Sequence, residues 1–132
     1  MLGTVGGGLR VGDGNINETY LGVQGPGATA TSTATLTAAQ VTSGILVANP
    51  STTAASYTLP TAALLDARLS NTIANDTFEL SIVNLGTSSG ALTILAGTGI
   101  TLVGSATVAI TSSAQFRFKK TAQGAWTAYR IS

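Results

Sequence analysis

Histidine and cysteine are both absent from the 132 residues. The first absence removes the usual general base near neutral pH, the usual triad member and the commonest metal ligand. The second removes disulfides, thiolate metal sites and thiol catalysis. The many Ser and Thr hydroxyls therefore lack an activating partner and read as strand formers and surface hydrogen-bonding groups. A Ser–Lys dyad through Lys119 or Lys120 would need a desolvated lysine, and both lie at an expected hairpin mouth, where desolvation is not anticipated.

Five carboxylates remain: Asp13, Glu18, Asp66, Asp76 and Glu79. A glycosidase pair must face each other across a substrate, but Asp76 and Glu79 are three apart in a strand-like stretch and should point to opposite faces. Asp13-x-Asn15-x-Asn17 imitates the opening of a calcium loop. Glu18 stands where the turn glycine belongs and Gln24 where the bidentate acid belongs, so a polar turn is the better reading. Gly97-Thr98-Gly99 is followed by no Gly-Lys-Ser/Thr and opens no helix, so these glycines read as hairpin turns rather than a phosphate cradle. No catalytic residue, metal ligand or cofactor site is assigned, and the chain is read as not an enzyme.

The elements that would position any site follow a period of two. Phe78, Leu80 and Ile82 share one face of a strand whose other face is polar. Leu92 with Ile94, Ile100 with Leu102, Val108 with Ile110, and Phe116 with Phe118 repeat that spacing, with Gly and Ser turns between them. A last strand over 125–131 returns from the turn around 121–124, and earlier strands are expected at 45–48 and 56–59. Two short helices interrupt the pattern. Thr37-Ala38-Ala39-Gln40 is a capping box with Gly44 suited to the helix end, and a second helix over 62–69 starts from Thr61 with Leu65 and Leu69 facing the core. The fold class expected is all-β: an antiparallel β-sandwich of jelly-roll type with two short crossing helices.

The N-terminal stretch is different. Nine glycines crowd positions 3–27, which raises the entropy lost on ordering and makes an independent fold there unexpected. Leu9, Val11, Ile16, Tyr20, Leu21 and Val23 punctuate them, as a plain spacer would not require. Residues 1–32 are read as an extended arm, with a disordered terminus as the alternative, and residues 33–132 as the body.

Charged residues make up 8% of the chain against 44% apolar, too few to cover a small body, so burial against partners is expected. A net charge of +1 offers no footprint for nucleic acid. No apolar run reaches the roughly 18 residues of a membrane span, and the start lacks the features of a signal peptide, so synthesis in a cytoplasm without secretion is expected. Arg117 and Lys119 alternate with Phe116 and Phe118, and Arg130 lies on the strand expected to pair with them. A solvated sheet face is the favoured reading, with a carbohydrate- or protein-contact patch as the alternative. Trp126 shares the parity of Arg130, so either the indole faces a neighbouring subunit or the strand twists between them. Trp126 is accordingly the expected oligomer-interface residue, and Tyr57 is placed with it.

Residues from about 37 to 131 resemble small surface proteins of tailed phages and other large DNA viruses. The resemblance is carried by Ser56-Tyr57-Thr58-Leu59-Pro60-Thr61-Ala62-Ala63, Phe78-x-Leu80-x-Ile82-x-Asn84-x-Gly86, Ala96-Gly97-Thr98-Gly99-Ile100-Thr101-Leu102 and Phe116-Arg117-Phe118. It implies a homotrimeric capsid decoration (cement) protein of the virion surface, whose arm grips the major capsid protein or another shell protein. A head or tail fibre or spike module that binds host-surface glycans is the alternative.

Overall fold

The computed structural model describes residues 23–25 and 27–132. Ten strands and two short helices follow one another as β1 (Ala28–Ala30), β2 (Ala34–Thr35), α1 (Ala38–Val41), β3 (Ile45–Ala48), β4 (Ala55–Thr58), α2 (Ala62–Arg68), β5 (Thr77–Asn84), β6 (Leu92–Leu95), β7 (Ile100–Val103), β8 (Thr107–Val108), β9 (Ser113–Ala122) and β10 (Ala125–Arg130). Six strands form one sheet in the order β1-β3-β5-β9-β10-β7, and four form a second in the order β2-β4-β6-β8. Their inner faces share one apolar core, in which Leu46, Leu80, Ile82, Phe116, Phe118 and Trp126 of the larger sheet join Tyr57, Leu92, Ile94 and Val108 of the smaller. The expected all-β, sandwich-like layering is present.

The strand directions differ from the expectation. The chain passes alternately between the sheets, and each return lays a strand parallel to the one before it: β1 on β3, β3 on β5, β2 on β4 and β4 on β6. β1–β2, β3–β4 and β5–β6 are thus three stacked turns of a short coil. Antiparallel pairing appears only later, where β9 joins β5 and β10 and where β8 joins β6. β7 then closes the larger sheet parallel to β10. A jelly roll is built from antiparallel pairs, so that connectivity does not describe this body. The glycines at 97 and 99 accordingly make a crossing from β6 to β7 in the other sheet rather than a hairpin.

Local chemistry explains the turns of the coil. Thr37 Oγ1 accepts from the Gln40 amide while the Gln40 side chain accepts from the Thr37 amide, completing the capping box that starts α1. Thr61 Oγ1 accepts from the Leu64 amide and starts α2. Gly44 follows α1 at φ +91°, a backbone conformation costly for any side chain with a Cβ. Both helices occupy the corner leading from the smaller sheet back to the larger. At the third such corner Gly97 lies so close to the preceding turn that a Cβ there would collide with the carbonyl oxygens of Leu59 and Pro60. Each fully buried Leu, Ile or Phe contributes about 1.5–3 kcal/mol, and the turns stack because their inward residues form one continuous core.

β1 belongs to the larger sheet, with Ala28 and Ala30 against the core. The body therefore extends to Ala28, ahead of the expected start at Thr33.

Candidate functional site

Three places concentrate polar or unpartnered groups. The first is interior. On α2, Ala62, Leu65 and Asp66 are the buried residues, which puts Asp66 on the helix stripe that faces the core. On β9, inward positions alternate as Phe116, Phe118 and Lys120, so the lysine enters the same interior. Lys120 Nζ lies 3.1 Å from Asp66 Oδ1 and also donates to the Thr72 carbonyl and hydroxyl. Asp66 accepts from Trp126 Nε1 at 2.9 Å and from the Gly124 amide at 2.6 Å. Burial alone would raise the Asp66 pKa, but the indole, the Gly124 amide and the Lys120 ammonium outweigh it and hold the carboxyl below its usual range. With every donor of Lys120 engaged, the cluster ties α2 to the β9–β10 hairpin and offers no free nucleophile.

The second place is the outer face of the larger sheet. Thr77, Lys119 and Thr127 stand opposite one another across β5, β9 and β10, and Glu79, Arg117 and Tyr129 form the adjacent row. Arg117 pairs with Glu79 at 2.9 Å with both side chains about half exposed. Arg130 lies over the Phe116 ring, 5.6 Å from its centroid, and donates to the Ser105 and Thr107 carbonyls. Asn75, Thr77, Arg117, Lys119, Tyr129 and Arg130 line a cleft of about 550 Å³. Both Phe116 and Phe118 point inward, as expected for this face. Asp76 and Glu79 do not face each other: Asp76 accepts from the Ile73 amide, and Glu79 turns to Arg117 and Gln115.

The third is the N-terminal edge. Gln24 Nε2 donates to the Ser43 carbonyl at 2.6 Å, so the chain enters the body beside β3, and Val23 is fully exposed. Among the described residues no strand pairs with the outer edge of β1 or β2. Of the expected docking residues, Leu9, Val11, Ile16, Tyr20 and Leu21 lie outside the described residues, as does the calcium-like run at 13–17.

The expected oligomer-interface residues are corrected. Trp126 is 1% exposed and Tyr57 0%. Phe78 packs edge-on to Trp126 at 5.4 Å, and the indole N–H is committed to Asp66. Arg130 keeps the parity of Trp126 but lies at the rim of the sheet over Phe116, which resolves the conflict between the two. The Tyr57 hydroxyl is enclosed without a hydrogen-bond partner, and burial pushes its pKa up. Among the described residues the large apolar side chains left exposed are instead Leu64, Ile73, Leu85, Leu95, Val103, Ile110 and Ile131, besides Val23.

No family model matches the chain, and no curated protein and no solved structure matches it.

Proposed function

We propose that this chain is a structural protein of a virus particle, a homotrimeric decoration subunit that docks on the capsid shell through its N-terminal arm. The observation that carries the reading is that the chain enters the body at the edge of the coil's first turn, an edge with no paired strand among the described residues. An open strand edge is a template for pairing with another chain, and an extended segment can add to a partner's sheet while its side chains fill pockets. Leu9, Val11, Ile16, Tyr20, Leu21 and Val23 are the side chains assigned to that docking, with the major capsid protein or another shell protein as partner. Exposed Leu64, Ile73, Leu85 and Ile110 support self-association, since a small body with few charges gains by covering such groups.

Light scattering of the purified chain at micromolar concentration tests the assembly. The expected mass is three times the 13.1 kDa of the chain. A monodisperse monomer would remove the trimer, and a particle reconstruction with this chain at fibre or tail tips rather than on the shell would remove decoration.

A further inference from the structure

The cleft on the outer face of the larger sheet joins charge, an aromatic surface and hydrogen-bonding groups in one concave place. Opposed residues on neighbouring strands stand about 4.5–5.5 Å apart at Cβ, and same-face residues along a strand about 6.7 Å apart. Thr77, Lys119, Arg117 and Tyr129 therefore run in a staggered line across three strands and two rows of this face. Among the described residues the Lys119 ammonium makes no ion pair or hydrogen bond, although the Thr77 and Thr127 hydroxyls flank it, and the Tyr129 hydroxyl makes no hydrogen bond. The volume of about 550 Å³ falls in the range that holds small organic ligands, about 300–1,000 Å³.

We propose that this cleft binds a carboxylate-bearing saccharide. The Lys119 ammonium, supported by the outer edge of the Arg117 guanidinium, would take the carboxylate in charge-assisted hydrogen bonds. The Tyr129 ring would pack on the flat apolar face of the sugar, and Asn75 and Thr77 would serve its hydroxyls. A dense polyanion such as nucleic acid fits poorly. Glu79 offsets the charge of Arg117, and Arg130 commits its donors to the Ser105 and Thr107 carbonyls, so among the described residues Lys119 is the cation whose donors remain open to a ligand. The proposal gives the glycan-binding alternative raised by the sequence a location and a ligand class, and it stands or falls independently of docking on a shell.

Calorimetric titration of the full chain with trigalacturonate and with a hyaluronan tetrasaccharide tests it, using the methyl ester of trigalacturonate and a heparin tetrasaccharide as comparisons. Saturable binding of at least one uronate probe is expected. Esterification should abolish it, and Lys119→Ala and Tyr129→Ala should each weaken it about tenfold or more with unchanged thermal unfolding. The proposal is overturned if neither uronate binds, if the ester binds equally well, if Lys119→Ala retains full affinity, or if heparin binds far more tightly.

Discussion

Lys120 of β9 and Asp66 of α2 meet at 3.1 Å with side chains only 6% and 8% exposed. An ion pair withdrawn this far from water is costly to break from one side, because the survivor keeps its charge without its partner. Lys120→Met is expected to destabilise the body by about 3–5 kcal/mol. Adding Asp66→Asn, which keeps an acceptor for the Trp126 indole, should recover part of that loss, with a coupling of about 1 kcal/mol or more. Chemical unfolding of the wild type, both single variants and the double variant measures the cycle.

Acid should act through the same carboxylate. Unfolded Asp66 takes up its proton near pH 3.9, while the folded chain holds the group lower. Its contribution to stability is therefore complete above about pH 4 and is lost as pH falls through the folded pKa. Urea unfolding followed from pH 6 downwards should show a decline that is shallower in Asp66→Asn.

Tyr57 offers the opposite case. Its hydroxyl is enclosed and unpartnered, so Tyr57→Phe removes a desolvated polar group and leaves the ring packing intact. Stability should be unchanged or rise by up to about 1 kcal/mol, and the mass in solution should not change. A clear loss of stability would mean that the hydroxyl is satisfied inside the body, as by an enclosed water.

The crossing from β6 to β7 can be probed at Gly97. A Cβ there meets the Leu59 and Pro60 carbonyl oxygens, whereas a Cβ at Gly25 meets nothing within 4 Å. Gly97→Ala should cost about 1–3 kcal/mol, as overpacking does, while Gly25→Ala should leave the unfolding midpoint unchanged.

Much of this was legible in local patterns. The period-two runs located β3, β5, β9 and β10, and the capping residues Thr37 and Thr61 located both helices. The buried pair was also present as pattern but was not read. Asp66 lies four residues after Ala62 on the stripe that carries Leu65, and Lys120 keeps the parity of Phe116 and Phe118. The coil left a trace too: Thr35-Leu36-Thr37-Ala38-Ala39 is echoed by Thr58-Leu59-Pro60-Thr61-Ala62-Ala63, and Thr35 pairs with Thr58 in the structure. Alternation cannot tell which sheet a strand joins or which way its neighbour runs. Leu46 aligns with Ile82 through parallel pairing across an intervening turn of chain, and nothing local to either strand encodes that choice. Trp126 was misplaced for a related reason, because the acid that satisfies its indole comes from a distant helix.

As proposed, the N-terminal segment serves docking while the body folds without it. Deletion of residues 1–22 removes that segment and spares Gln24 and β1. The truncated chain should keep the mass and thermal unfolding of the full chain, and it should no longer co-sediment with purified shells that retain the full chain. Undiminished co-sedimentation of the truncated chain would contradict the account and place the contact on the body.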